Sequence, residues 1–354
     1  MYYAISIIQL DYLMFGEVIM VKTYIVDPDK FLEATAMIPC ILFIIGMNYK
    51  EYLLTDRKKD VYKVMQDLRN LFPESREAQR KYKVHEFCSV MQKVEFVFIC
   101  CCISFTTVFS SMPFVVGMYK SWYLGEDYQR VLPYVVWYPF DYTKNLPLYL
   151  FLYLFQYQGA YTASVLFVGA DLLMCGAISQ NCMHLHYIAN MIKEYKPKGG
   201  IKDIIFIGDI ARYHGKVLNL SELVNETYSV CILLSFVIAS TSICFIGFNL
   251  TSSPLQDALK FGLFMTAEIV QIAAICFYGN TILEKSFELG DAIYEHDWHE
   301  ADLEYKKMLI QIITRSQKPA SIRAPTFPPT SYETFMKVMT TSYKFLTVIR
   351  QYFN

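Results

Sequence analysis

The sequence feature that most constrains the fold is a series of apolar stretches separated by charged segments. One of them reads "VEFVFICCCISFTTVFSSMPFVVGMY". About 20 apolar residues in a helix are enough to cross the hydrocarbon core of a bilayer. Only 18% of the chain is charged, against 54% hydrophobic. We therefore predict an all-α polytopic membrane protein with seven transmembrane helices. The predicted spans are 4–25, 31–53, 94–119, 148–174, 228–250, 255–283 and 331–353.

The distribution of lysine and arginine predicts how these spans are oriented, because cytoplasmic loops are enriched in both. Segments 50–93, 184–225 and 284–330 together hold 23 of the 32 basic residues, and all three lie on one side of the arrangement. We expect a cytoplasmic amino terminus and an extracellular carboxyl terminus. The first span lacks a basic leader and a small-residue cleavage site, which argues against a signal peptide.

The chain divides into three parts. Residues 1–283 hold six spans and the cytoplasmic extensions, 284–330 a cytoplasmic anchor helix and linker, and 331–354 the last span. Helical spacing of apolar residues predicts an amphipathic helix over 300–316. The predicted apolar face consists of Leu303, Met308, Leu309, Ile312 and Ile313.

The outer loop "KSWYLGEDYQRVLPYVVWYPFDYTKNLP" is rich in aromatic residues and proline. One interpretation is an interfacial aromatic belt. The other is an ordered cover over a cavity in the outer half of the bundle. The composition alone does not separate the two.

The residues that could carry enzymatic or metal chemistry do not assemble into a known motif. Nucleophile, metalloprotease and phosphate-loop motifs are absent. The histidines of "HLH" and "HDWH" have no cysteine or carboxylate cluster at ligand spacing, and the cysteines lie in or beside spans or in a cytoplasmic loop. We expect no enzyme, no metal or cofactor, and no nucleic-acid partner.

The predicted first span is the weakest of the seven, because Asp11 and Glu17 interrupt it. Isolated charged residues in the other spans are Asp171, Glu268, Lys337 and Lys344. Asp171 falls so far along its span that we expect it at or beyond the cytoplasmic face. Glu268 lies in the middle of its span and must face protein or water, because an unpaired charge in lipid is costly. We interpret it as a hydrogen-bonded structural acid.

Several motifs resemble the insect odorant receptor family. They include "FYGNTILEKSFELGDAIYEHDWHE", "SYETFMKVMTTSYKFLTVIRQ" and "LPYVVWYPFDYTKNLPLYLFLYLFQ", and the likeness covers most of the chain. Members usually have a longer amino terminus, so the sequence given is expected to be short there. The resemblance implies a multi-pass receptor in the plasma membrane of olfactory neuron dendrites. It also implies assembly with a co-receptor subunit into a heterotetrameric, ligand-gated, non-selective cation channel.

The same resemblance implies that the last span lines a central pore, where one helix face can be polar because it borders water. Helical spacing aligns the candidate pore residues Met339, Ser342, Leu346, Ile349 or Arg350, and Phe353. By similarity to the family, Leu346 and Ile349 form the hydrophobic constriction. Arg350 departs from the family pattern, since a ring of arginines would repel cations.

The resemblance also implies that small, mostly apolar volatile molecules bind in the outer half of the subunit. Such a pocket needs apolar walls with few polar groups. Residues at the matching depth of four spans form the predicted lining: Met37, Cys40, Phe105, Phe109, Met112, Tyr149, Tyr153, Gln156, Phe261, Phe264 and Met265.

Three alternatives remain. A gustatory-receptor-like channel subunit has the same inverted topology, although its last helix usually carries a different motif. A G-protein-coupled receptor would place its amino terminus outside, against the charge distribution described above. A membrane-embedded transferase would need a histidine or acid at an intramembrane cavity, and all six histidines lie outside the spans.

Overall fold

The structure is a computed structural model that describes residues 2–353, with the backbone alone at positions 2–4, 28, 255–256 and 352–353. Within that part of the chain the fold is helical, apart from an isolated β-bridge in a linker. The all-α prediction is confirmed. The α-helices are α1 (Tyr2–Tyr24), α2 (Phe31–Asp56), α3 (Lys58–Leu71), α4 (Arg76–Lys81), α5 (Val84–Tyr123), α6 (Leu146–Glu194), α7 (Ile201–Ser252), α8 (Leu255–Glu295), α9 (Leu303–Ser316) and α10 (Tyr332–Phe353), with 3₁₀ turns at Pro28–Lys30 and Trp298–Glu300.

Helices α5 to α8 are much longer than a bilayer is thick. They contain 40, 49, 52 and 41 residues. At 1.5 Å per residue they measure about 60 to 78 Å, against about 30 Å of hydrocarbon. The corresponding spans therefore continue as unbroken helices beyond the membrane, and α8 crosses the predicted boundary at 283/284 without interruption.

Five helices, α2 and α5 to α8, are long and apolar enough to cross a membrane by length and composition. Helices α1 and α10 contain 23 and 22 residues, which is also a spanning length. These seven helices correspond to the seven predicted spans. Helices α3, α4 and α9 are too short to span and belong to the segments predicted to be cytoplasmic.

Helix α6 lies at the centre of the bundle, in contact with α1, α2, α5, α7 and α8. Glycines allow neighbouring helix backbones to approach closely. At Gly46 of α2, a Cβ atom would lie only 2.6 Å from Cδ1 of Ile238 in α7. Helix α10 packs on α7 and α8, and a Cβ on Gly247 of α7 would lie 3.1 Å from Leu346 of α10.

The amphipathic helix predicted over 300–316 is α9. It begins at Leu303, because a 3₁₀ turn occupies the residues before it. Leu309 and Ile312 are buried as predicted, but Leu303 is 69% exposed. Tyr305 is fully buried and takes the inward position at that end of the helix. Helix α9 packs on α7 and α8.

The proline-rich linker before the last helix is tied to α8. The amide of Ala320 donates to the Ser286 hydroxyl at 2.8 Å, and the amide of Thr330 donates to the Ile322 carbonyl at 2.8 Å. A Cβ on Gly279 of α8 would lie 2.6 Å from the Thr330 carbonyl oxygen. The last helix therefore starts from a fixed point on α8.

Candidate functional site

The outer loop between α5 and α6 is held to the bundle by its backbone. The amide of Trp137 donates to the Gly16 carbonyl of α1 at 3.2 Å. The Gln156 side chain of α6 accepts from the Tyr134 amide at 3.0 Å and donates to the Tyr134 carbonyl at 3.1 Å. The Tyr149 hydroxyl donates to the Val131 carbonyl at 3.2 Å. The structure therefore favours the interpretation of this loop as an ordered cover.

Beneath the cover lies an outer cavity of about 230 Å³ between α5, the loop and α8. Phe109, Met112 and Val116 line it from one face of α5, as their helical spacing requires. Charged residues are also part of the lining, including Asp257 and Lys260, which form an ion pair at 2.8 Å. Phe109 and Met112 are the two predicted pocket residues found here.

A smaller inner pocket lies deeper, between α1, α2, α5, α6 and α8. Its free volume of about 40 Å³ holds little more than one water molecule. Four predicted residues line it: Cys40, Phe105, Gln156 and Phe264. A ligand larger than water must therefore displace side chains to enter.

Stacked aromatic rings separate the two cavities. The ring centroids of Phe109 and Tyr134 are 5.1 Å apart, and those of Phe105 and Phe264 are 4.2 Å apart. Phe105 and Phe109 meet edge to face at 5.5 Å. Each such pair contributes about 0.5–1.5 kcal/mol beyond area burial. Separating one pair therefore loses this contribution together with the contact area that the two rings bury.

The remaining predicted pocket residues have other neighbours. Tyr149 bonds to Tyr128 at 3.1 Å and Tyr153 donates to the Ser110 carbonyl at 2.5 Å, so both tie α6 to its surroundings. Phe261 joins the apolar cluster of Phe105 and Phe264. Met37 is buried, and neither it nor Met265 lines the two cavities. Met265 lies instead near Gly247 of α7, close to α10.

Helix α1 supplies pocket residues that the sequence analysis missed. Leu10, Leu13 and Glu17 line the inner pocket, together with Phe43 and Ile44 of α2. Two acids make α1 the least convincing of the predicted spans, so it contributes nothing to the predicted lining. The same two acids could have indicated that α1 contributes to the pocket, because an ionisable group within a span points to a functional site.

Below the inner pocket is a buried polar network. Phe43, Phe105 and Phe264 also line a second small space that reaches Glu268 and Gln271. Glu268 is 3% exposed, and its Oε2 has no hydrogen-bond partner among the described residues. The predicted hydrogen bond to this acid is thus not found at that oxygen.

The network is centred on an ion pair between α2 and α6. The Lys50 ammonium lies 2.7 and 2.9 Å from the two Asp171 oxygens, and Gln271 of α8 donates to Asp171 at 2.6 Å. Nζ of Lys50 also lies 4.0 Å from the Phe167 ring centroid. The prediction that Asp171 is an isolated charge is wrong. Lys50 is 1% exposed, so it is a buried partner rather than a solvated cation.

The histidines of the predicted cytoplasmic side bond to tyrosines and acids. His184 pairs with Tyr213 at 2.8 Å and His186 with Glu288 at 2.8 Å. Burial lowers the pKa of His184 to about 4. Burial alone would raise the pKa of Glu288, but hydrogen bonds from His186 and Lys285 outweigh it and lower that pKa to about 2. These residues stabilise contacts between helices.

Most of the candidate pore residues lie on the face of α10 that packs on the bundle, and Arg350 lies at its exposed edge. Ser342 is 1% exposed and pairs with Ser240 of α7 at 3.1 Å. Leu346, Met339 and Ile349 are half-buried, and Arg350 is exposed. The side chain of Phe353 lies outside the described residues. The outward face carries Met336, Thr340, Tyr343, Thr347 and Arg350.

A bundle of seven spanning helices with two cavities between the helices and a partly polar last helix is the architecture of a multi-pass membrane receptor. Sequence comparison agrees. The family 7tm Odorant receptor matches residues 30–343. Odorant receptor 67c of Drosophila melanogaster is 37% identical over 97% of this chain and 86% of its own length. Putative odorant receptor 92a of the same species is 36% identical over 95% and 83%. The chain belongs to the 7tm odorant receptor family.

Comparison of folds gives the same architecture. The insect olfactory receptor OR5 from Machilis hrabei superposes with a TM-score of 0.79, covering 98% of this chain and 88% of that one at 14% identity. Its complex with eugenol gives a TM-score of 0.76. The family consists of receptors, and no enzyme family is indicated. The predicted identity as an odorant receptor subunit is confirmed over the gustatory and G-protein-coupled alternatives.

Proposed function

We propose that this subunit binds a small, mostly apolar volatile molecule in its outer half. With a co-receptor subunit, it then opens a non-selective cation channel in the plasma membrane. The observation that carries the proposal is the pair of cavities under an ordered loop, separated by aromatic rings. The solved complex of the Machilis receptor with eugenol supports a ligand of this size and character.

The proposed coupling runs from the inner pocket through α8 to α10. A ligand that separates Phe105 from Phe264 displaces a side chain of α8. The next residue of α8, Met265, lies near Gly247 of α7, which also faces Leu346 of α10. The ligand must bind the open state more tightly than the closed one, because otherwise it cannot shift the equilibrium.

The proposed conduit is lined by α10, with Leu346 and Ile349 at the constriction. Leu346 contacts α7 and Ile349 is half-buried in the single chain, so opening requires α10 to rotate or tilt. Ser342, bonded to Ser240, would reach water only after such a movement. The exposed face around Thr340 and Thr347 is available to neighbouring subunits.

The function is tested by expressing the chain with the odorant co-receptor and recording cation current during a panel of volatiles. We expect current only when both subunits are present, with altered conductance in Ile349→Ala and Leu346→Ala. Thr326→Ala, in the linker, serves as a control outside the conduit. A response of the chain alone through second messengers would contradict the channel assignment.

A further inference from the structure

Glu17 of α1 is a carboxyl group in a position that packing does not explain. Glu17 is 2% exposed and lines the inner pocket together with Cys40 and Tyr134. Among the described residues, no group lies within hydrogen-bond distance of its Oε2. Burying an unpartnered polar group is costly, and an acid inside a membrane bundle is a marker of function.

The other nitrogen- and oxygen-bearing side chains of the inner pocket already have protein partners. The hydroxyls of Thr106 and Ser164 pair with each other at 2.7 Å. Gln156 uses both its oxygen and its nitrogen on the loop backbone at Tyr134. The Tyr134 hydroxyl faces a serine of α5 at 3.3 Å. Among the described residues that line this pocket, Glu17 is therefore the polar group that is left for a ligand.

We propose that Glu17 is the polar anchor of the inner pocket and that it selects ligands carrying a hydroxyl group. This inference rests on the proposed function and specifies its ligand class. A hydroxyl donates to a carboxylate, and it both accepts from and donates to a neutral carboxyl group. It therefore satisfies Glu17 in either state, whereas a carbonyl or ether oxygen can only accept.

The walls around Glu17 accommodate the carbon skeleton of such a molecule. Leu10, Leu13, Phe43 and Ile44 present aliphatic and aromatic surface next to it. The free volume of about 40 Å³ is close to the volume of one water molecule. It therefore accommodates only the hydroxyl end of the ligand. The skeleton then occupies the space opened by displaced aromatic rings. The ligand is a small aliphatic or aromatic alcohol.

The test uses alcohols, aldehydes and methyl ethers matched in heavy-atom number, such as hexan-1-ol, hexanal and methyl pentyl ether, from four to eight carbons. Binding is measured by thermal stabilisation of the purified full chain, and activity by current with the co-receptor. In the wild type, we expect alcohols to bind about tenfold more tightly than matched ethers, the effect of one buried hydrogen bond.

Three variants complete the design. Glu17→Met should remove the preference for alcohols, and Glu17→Gln should retain it because an acceptor and a donor remain. Asp11→Asn is the matched control, since Asp11 lies on the same helix but is exposed and bonded to Asn48 at 2.7 Å. It should behave as the wild type does.

Equal affinity for alcohols and ethers in the wild type would overturn the assignment, and so would an alcohol preference that persists in Glu17→Met. If Glu17→Met does not fold, the wild-type comparison still decides. Alcohol-specific stabilisation without current would contradict the channel proposal and leave the role of Glu17 standing. Current without a preference for alcohols would support the channel proposal and contradict the role of Glu17.

Discussion

At the residue scale, the structure differs from a simple lipid-facing bundle in its buried charges. Lys50 and Asp171 pair inside the protein, and Glu268 lies next to the same network. A charge in an apolar interior is tolerated only when it is paired and hydrogen-bonded. The sequence shows each of these residues but not the pairing, because Lys50 and Asp171 are 121 positions apart.

Removing one partner of this pair should destabilise the protein strongly. We expect Lys50→Met to lower the free energy of unfolding by about 3–5 kcal/mol, because Asp171 is then left buried without a cation. The double variant Lys50→Met/Asp171→Leu should recover much of this loss. Thermal unfolding followed by size-exclusion chromatography measures both. Additive losses in the double variant would show that the pair does not act as a unit.

His184 should make stability depend on pH. Its folded pKa of about 4 lies below the ordinary value of 6.5, so the unfolded state binds the proton more readily. Its contribution is fully present above pH 6.5 and is lost as pH falls towards 4. At pH 5 the loss is about 2 kcal/mol.

Melting temperatures of the wild type and His184→Gln at pH 7.5 and pH 5 test this expectation. The variant should lose less stability on acidification than the wild type does. An equal loss in both proteins would mean that other groups, such as the buried His214, account for the pH dependence.

At the element scale, helix periodicity and apolar length predict much of the fold. The seven spans, the helical extensions beyond them and α9 follow from spacing that any straight helix imposes. The exact start of α9 cannot be predicted from this spacing, because the 3₁₀ turn before it depends on contacts with other segments. Of the predicted lining, residues such as Phe105 and Phe264 face the inner pocket. The contribution of α1 could not be predicted, because it depends on how α1 packs against α2 and α6.

The contact between α8 and the linker to α10 should tolerate no added atom. We expect Gly279→Ala to cost about 1–3 kcal/mol, because the new Cβ meets the rigid carbonyl of Thr330. Gly262→Ala is the control on the same helix, since no atom of the described residues lies within 4 Å of its Cβ position. It should be neutral or stabilising. Equal effects in thermal unfolding would contradict the close approach.

Gln156 should hold the outer loop rather than the ligand. We expect Gln156→Met to free the backbone around Tyr134, because three hydrogen bonds are lost, including one to the Tyr138 hydroxyl. Hydrogen exchange of the loop, measured without ligand, should then become faster. Unchanged protection would show that the apolar contacts of the loop hold the cover alone.

At the scale of the whole molecule, the single chain leaves apolar surface on α10. Tyr343, Phe345 and Val348 are each about 60% exposed or more. On a helix that spans a membrane, such a surface is covered either by lipid or by a neighbouring helix. The predicted heterotetramer would supply such neighbouring helices. The candidate pore residues can line a conduit only in such an assembly.

Cysteine labelling can test this arrangement. We expect Val348→Cys to react with a thiol reagent in the isolated chain and to become protected when the co-receptor is present. Ser342→Cys should stay protected in both, since Ser342 is buried against α7. The native cysteines provide the background rate. Equal reactivity of Val348→Cys with and without the co-receptor would place the interface elsewhere.

The unbroken length of α7 has a mechanical consequence. A rod of 52 residues is about 78 Å long, so a tilt of about two degrees around its midpoint moves each tip by more than 1 Å. A small tilt of α7 therefore displaces the end of the helix on which α9 packs. We therefore expect substitutions at the contact between α7 and α9 to alter sensitivity to odorants although they lie far from both cavities.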